Sequence, residues 1–146
     1  MDKIVRVIVL GNATNYQQVS NLTGCIPDIS QYNQCFLCIE KFVGFHNTVV
    51  NQGLILRIDN MRDGCSNNGD NSIFNVSDIV DVFFGTPNIA NTSRNYDCVN
   101  SIETWIPITW QTLTQFTVRL NGVINDASVV ANPCTFVLSL KLKFVK

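Results

Sequence analysis

The segment that decides the fold is residues 135–144, which read TFVLSLKLKF. Large apolar side chains occupy every second position, and most of the positions between them are polar. A period of two sustained over such a length is typical of a β-strand with one buried face, because successive side chains of a strand point to opposite sides. We therefore predict a strand over 134–145. Its buried face is formed by Phe136, Leu138, Leu140, Leu142 and Phe144.

The same alternation recurs upstream. Phe116, Val118 and Leu120 share one face of a predicted strand over 114–121, and an Asn-Gly pair at its end is typical of a tight turn. Further apolar or alternating stretches predict strands over 3–10, 34–43, 53–60, 78–85, 95–99 and 102–110. Pro107 cannot donate a hydrogen bond to a neighbouring strand, so its strand is expected to be an edge strand, to contain a bulge or to consist of two short pieces.

These stretches predict an all-β fold, because no segment has a convincing helical period. The expected architecture is one domain over residues 1–146, an eight-stranded antiparallel sandwich. The predicted loops are uneven in length, which favours connections that cross between two sheets, as in a jelly roll, over an up-and-down barrel. Other sandwich topologies remain the alternative.

The composition combines an ordinary core with a nearly uncharged polar surface. The chain has 146 residues, enough for one domain with a substantial core. Apolar residues make up 46%, but charged residues make up only 14%, against about 25% in an average domain. Asn, Thr, Ser and Gln together fill 45 positions, so most polar surface is predicted to carry no charge.

Several classes of protein are excluded by this composition. Low net charge with ordinary hydrophobicity argues against intrinsic disorder. The 10 basic residues do not outnumber the 11 acidic ones, so we expect no direct binding of nucleic acid. The chain has no run of about 20 apolar residues, so we expect no membrane span. Arg6 interrupts the first apolar stretch, and we expect neither a secretory signal nor an oxidising compartment.

The six cysteines are expected to be free thiols, mostly buried, because the core is large enough to need no disulfide framework. Cys35 and Cys38 have a spacing that binds zinc on a tight knuckle. Their surroundings resemble a strand, however, and positions three apart on a strand face opposite sides. We therefore predict core packing for this pair, and no metal or cofactor.

The catalytic motifs of common enzymes are absent. His46 is the only histidine, and it is expected in a turn after a strand; whether a cysteine lies beside it cannot be read from the sequence. No Gly-x-Ser-x-Gly motif is present, and no pair of carboxylates is marked out. The loop from Asp63 to Asn71 offers oxygen ligands without the spacing of an EF-hand, so an ordinary polar loop is predicted and calcium binding is the alternative. We predict that the chain is not an enzyme.

The last third of the chain carries a resemblance. Residues 113–122, a polar loop and residues 134–144 are similar to the closing strand pair of small single jelly-roll capsid proteins of large double-stranded DNA viruses. The strands at 32–39 and 54–59 fit the same layout, and the high Asn content resembles proteins from AT-rich viral genomes. The resemblance implies a minor capsid or penton-type component of the virion, assembled in the host cytoplasm, which contacts copies of itself and other capsid proteins and has no active site.

Three apolar residues are candidates for an interface. Trp105, Ile55 and Phe83 lie opposite the predicted core stripes of their strands, so they are expected at the surface unless both faces of those strands are buried. Interface cores are depleted of charge, and tryptophan is favoured in them.

The alternative function is a carbohydrate- or receptor-binding sandwich, which needs calcium or an aromatic platform such as Trp110 or Tyr16 in its loops.

Overall fold

A computed structural model describes residues 1–13, 17–21, 28–47, 53–59, 79–108, 115–122 and 134–146. These residues form ten strands and one 3-10 turn, Ile29–Gln31, so the all-β prediction is confirmed. The strands are β1 (Lys3–Ala13), β2 (Gln17–Asn21), β3 (Gln34–His46), β4 (Gly53–Asp59), β5 (Ile79–Phe84), β6 (Thr86–Pro87), β7 (Arg94–Val99), β8 (Ile106–Ile108), β9 (Gln115–Gly122) and β10 (Cys134–Val145). Within the described ranges, no helix has the length and apolar character needed to cross a membrane.

The strands form two antiparallel sheets that pack as a sandwich. The six-stranded sheet has the order β1-β10-β3-β7-β6, with β8 also paired to β3, and the four-stranded sheet has the order β2-β9-β4-β5. The pairs nest within one another along the chain: β1 pairs with β10, β2 with β9, β3 with β7, and β4 with β5. The antiparallel sandwich is as predicted, although it has ten strands among the described residues and not eight.

The two additional strands are short and carry little sequence signal. β2 contains a single large apolar residue, and β6 is a two-residue strand. The strand predicted over 102–110 is reduced to Ile106–Ile108, and Ile102 is 79% exposed. β8 is an edge strand opposite residues 35–37 of β3, which is one of the outcomes expected from Pro107.

The core lies between the sheets and is centred on Phe42. Its ring stacks on Phe83 at 4.4 Å and on Phe136 at 5.6 Å, and it meets Tyr96 edge-on at 5.8 Å. The five alternate residues predicted to form the buried face of β10 are 0–3% exposed, so that prediction is confirmed. Burial of each such side chain contributes about 1.5–3 kcal/mol to folding, before entropy is counted.

A bulge at Glu40 changes the phase of β3. Cys35, Leu37 and Ile39 are buried before it, whereas Phe42 and His46 are buried after it. The register with β10 skips one residue at this point, since Ser139 is opposite Lys41 and Leu140 is opposite Ile39. An extra residue in one strand of an antiparallel pair reverses which side chains face inward. Beyond the bulge, β3 stays paired with β10 as far as His46, three residues past the predicted end of the strand.

Candidate interaction surface

Two of the three predicted interface residues are not at the surface. Ile55 is 4% exposed and Phe83 is 3% exposed, so the surface positions predicted for them are wrong. Ile55 lies on β4, which is flanked by β9 and β5 and is buried on both faces, the alternative that the sequence left open. Phe83 faces the core because β5 has a register shift opposite Leu56 and Arg57, which reverses the alternation after Val80.

Trp105 is half-buried and lies outside any strand. The ammonium group of Lys143 is 5.7 Å from the centre of its ring. The ring is therefore engaged within the molecule, and the structure does not bring it together with Ile55 or Phe83. Its interface role stays a prediction.

Among the described residues, a group of exposed apolar side chains lies elsewhere, on the face of the six-stranded sheet that points away from the four-stranded sheet. We call this the outer face. The alternate residues of β1 that point outward are well exposed, at 55% for Ile4, 60% for Ile8 and 69% for Leu10. Neighbouring strands add Phe45 at 48% and Val99 at 64%. Apolar residues grouped in this way, beside polar ones, are typical of a surface that contacts another molecule.

A compact group of charges occupies the centre of the outer face. Arg6 of β1 and Lys141 of β10 are directly opposite in the register, and the bulged Glu40 of β3 reaches both of them. The Arg6 Nε and Nη2 atoms donate to the two Glu40 carboxylate oxygens at 2.8 and 3.0 Å. Lys141 Nζ is 3.2 Å from Glu40 Oε1 and also bonds Glu103, and Ser139 Oγ donates to Glu40 at 2.9 Å. We call Arg6, Glu40, Glu103 and Lys141 the charge cluster.

The charge cluster neutralises itself. The hydrogen bonds from Arg6, followed by those from Ser139 and Lys141, lower the pKa of Glu40 to about 2. Lys141 lowers the pKa of Glu103, and the two carboxylates in turn raise the pKa of Lys141. Both carboxylates are therefore held ionised, which is the opposite of the raised pKa that a general acid requires. The cluster contains two cations and two anions, so it adds no net charge to the outer face.

A shallow groove of about 680 Å³ runs along the charge cluster, bordered by Ile8, Val99 and Val137. Asn100 fixes one wall, since its backbone N–H donates to the Glu40 carbonyl at 2.9 Å and its side chain donates to the Ile39 carbonyl at 2.8 Å. These bonds occupy backbone groups at the bulge and hold β3 in its irregular register. One wall of the groove is thus held in place by hydrogen bonds to the backbone of β3.

His46 has a different environment from the predicted turn. It ends β3, is 1% exposed, and lies opposite Cys134 in the register. Burial raises the pKa of the Cys134 thiol to about 12. A nucleophilic cysteine needs a lowered pKa, so this neighbouring pair has the environment of core residues and not of an activated nucleophile.

The cysteines of the C-x2-C pair lie on opposite sides of the sheet, as predicted. Cys35 belongs to the core, whereas Cys38 lines the groove on the outer face. Cys35, Cys38, Cys98 and Cys134 are free thiols. Within the described ranges, no three His, Cys, Asp or Glu side chains come together as a group that could hold a metal. The loop from Asp63 to Asn71, Trp110 and Tyr16 lie outside the described residues.

Sequence reasoning missed both the outward residues of β1 and the charge cluster. Positions 4–10 are almost entirely apolar, so their alternation has no contrast by which to assign a face. The one available signal for the cluster was the change of phase between Ile39 and Phe42, which marks a bulge.

No protein-family model, no curated protein and no solved structure matches this chain.

Proposed function

We propose that this protein is a structural component of a virion, a minor capsid or penton-type protein that assembles with copies of itself and with other capsid proteins. The observation that carries the proposal is the outer face of the six-stranded sheet. It exposes Ile8, Leu10 and Val99 by 60–69% each, around a charge cluster that has no net charge. A surface of this kind favours contact with other proteins over contact with water alone.

The order of the strands supports the resemblance to jelly-roll capsid proteins. Nested pairs, from β1 with β10 inward to β4 with β5, are what results when one long antiparallel hairpin is rolled into two sheets. On this ground we propose a jelly-roll topology for the sandwich, a fold shared by viral capsid proteins, lectins and cupins. Because the fold hosts several functions, it supports the proposal by analogy, and the outer face supports it physically.

The chemistry of the described side chains also favours a structural role. The thiols of Cys35 and Cys134 have pKa values raised to about 12 by burial, and the carboxylates of the charge cluster are held ionised by ion pairs. None of these groups is poised for proton transfer or nucleophilic attack near neutral pH. The carboxylates are better suited to fixing the shape of the sheet.

The test is the protein content of virus particles purified from infected host cells. We expect the chain in a fixed molar ratio to the main shell protein, retained after a high-salt wash. Absence from the particle, or variable trace amounts, would overturn the proposal.

A pair of variants assigns the contact to the outer face. Phe45→Lys places a charge on that face, whereas Ile89→Lys places the same charge on a fully exposed turn residue outside the strands. We expect Phe45→Lys to reduce incorporation into particles and Ile89→Lys to leave it unchanged. Equal incorporation of both variants would show that the outer face is not the contact.

A further inference from the structure

β1 is an edge strand of the six-stranded sheet that the described residues form. Among the described residues, its eleven residues pair with β10 alone. The other side of its backbone therefore presents a row of N–H and C=O groups that can pair with another strand. The strand has no proline, and its centre reads VIVL at residues 7–10. Long, apolar edge strands of this type recruit a further strand unless a charge, a proline or a bulge protects them.

The one charge that could protect the centre of this edge is directed away from it. Arg6 is the only charged residue between positions 4 and 13. Its guanidinium group is held by both carboxylate oxygens of Glu40, which lies on β3, the second strand in from the edge. The Arg6 side chain therefore extends across β10 toward the middle of the sheet. An incoming strand would meet Ile8 and Leu10 on the outer face, and not an outward-pointing charge.

We propose that β1 pairs antiparallel with β1 of a second copy of this chain, about a two-fold axis at Ile8. The inference deepens the proposed structural role, on which it rests, by naming the partner and the contact. A contact of this kind is self-complementary, because the same surface of each copy faces the other. The two six-stranded sheets then form one continuous sheet across the axis.

The register centred on Ile8 follows from the side chains of β1. It pairs the whole strand, from Lys3 opposite Ala13 to the two Ile8 residues opposite each other. Arg6 then lies opposite Leu10 of the second copy, so no two like charges are opposed. A register centred on Arg6 would place two guanidinium groups opposite each other, which destabilises a strand pair.

A cross-linking experiment tests this register. Cross-strand neighbours have Cα atoms about 4.5–5.5 Å apart, which is within the range that a disulfide spans. Ile8→Cys should therefore form a covalent dimer under mild oxidation with diamide. Ile4→Cys is the matched control, since Ile4 is similarly exposed on the same strand, but the two copies of residue 4 would lie about 26 Å apart.

We expect at least about tenfold more covalent dimer from Ile8→Cys than from Ile4→Cys or from the unaltered chain, whose native thiols give the background. Equal cross-linking of the two variants, or no cross-linking of Ile8→Cys above background, would overturn the inference.

Sedimentation of the reduced protein over a range of concentrations provides the second test. Ile8→Lys would oppose two ammonium groups at the axis, so the dissociation constant of the dimer should rise at least about tenfold. Ile89→Lys, with the same charge on a fully exposed turn residue, should change that constant less than about threefold. Circular dichroism confirms that both variants are folded. A chain that stays monomeric throughout, or an Ile8→Lys dimer of unchanged affinity, would overturn the inference.

These outcomes are separate from those of the proposed function. A chain that is present in particles but monomeric in solution, without an Ile8 cross-link, would contradict the β1 pairing and leave the structural role intact. A chain that pairs through Ile8 in solution but is absent from particles would contradict the structural role and leave the pairing intact.

Discussion

The two edges of the six-stranded sheet are built in opposite ways. At one edge, β6 consists of Thr86 and Pro87, and β8 has three residues with Pro107 at its centre. A short strand offers few hydrogen-bonding groups, and proline removes a donor, so this edge resists the addition of another strand. At the other edge, β1 continues for eleven residues without a proline. The two edges of one sheet are therefore protected to different degrees, and among the described residues β1 is the edge that has no such protection.

At both edges, nevertheless, a glycine leaves room for an aromatic ring of the core to pack against the backbone. Gly11 of β1 lies against Phe136, and Gly85, immediately before β6, lies against Tyr96. A Cβ atom added at Gly11 would lie closer to its aromatic ring than one added at Gly85. We therefore expect a larger loss of stability from a substitution at Gly11.

Gly11→Ala is expected to have the largest effect on stability. Its Cβ atom would lie 2.1 Å from the ring of Phe136, and that ring is 3% exposed and stacked on Phe42, so it has little room to shift. Overpacking of a core costs about 1–3 kcal/mol of unfolding free energy. Urea denaturation followed by tryptophan fluorescence measures the loss.

Gly85→Ala is the matched control at the protected edge. Its Cβ atom would lie 2.8 Å from the Tyr96 ring, so a smaller adjustment is needed and a smaller loss is expected. In a Phe136→Leu background the cost of Gly11→Ala should fall, because the clashing ring is gone. A larger loss of unfolding free energy from Gly85→Ala than from Gly11→Ala would contradict this prediction.

Glu40→Gln is expected to have an intermediate effect, because it leaves Arg6 and Lys141 opposite each other without their shared counter-charge. We expect a loss on the order of 1 kcal/mol, since the cluster is partly exposed and screened by solvent. The variant also frees Arg6 to extend over the edge, so it should weaken self-association through β1. Glu103→Gln is the control; its side chain is 53% exposed, and it should have a smaller effect on both measurements.

The loss caused by Glu40→Gln should depend on pH. The pKa of Glu40 is about 2 in the folded chain, below its ordinary value of 4.5. A carboxylate with a lowered pKa stabilises the fold fully above its unfolded pKa, and that stabilisation is lost as the pH falls toward the folded pKa. The difference in unfolding free energy between the unaltered chain and the variant should therefore be constant above about pH 5 and shrink between about pH 4.5 and pH 2. A difference that does not change over this range would contradict the assignment.

Tyr96→Phe is expected to have the smallest effect on the free energy of unfolding. Tyr96 lies on β7, the strand next to the protected edge. The Tyr96 hydroxyl is buried and has no hydrogen-bond partner among the described residues, and burial raises the pKa of the phenol. An unpaired buried polar group is unfavourable, so its removal should leave stability unchanged or increase it by up to about 1 kcal/mol. Thermal unfolding of the two proteins makes the comparison. A loss greater than about 1 kcal/mol would show that the hydroxyl is bonded.

Sequence reasoning succeeded where a strand is regular over its whole length. The span and buried face of β10 are as predicted, and so are the buried positions Val118 and Leu120 of β9. In these strands the alternation of side chains is a local property, and one face is in contact with the core throughout.

The same reasoning failed where a strand changes phase or is covered on both faces. Simple alternation predicts a surface position for Phe83, because it ignores the irregularity in β5. The polar Arg57 at the alternate position predicts a surface position for Ile55, yet both residues are buried. Bulges and coverage depend on the neighbouring strands, which are distant in the sequence.

The sequence by itself determined that this chain forms an antiparallel β-sandwich with few charged residues, because side-chain alternation and composition are both properties of the chain read residue by residue. Only the tertiary structure decided which side of β1 faces outward, that the Glu40 bulge joins Arg6 to Lys141, and that among the described residues β1 forms one edge of the sheet and the short β6 the other. These features arise from pairing between strands far apart in the sequence, such as β3 and β10, and that pairing is established only when the chain folds.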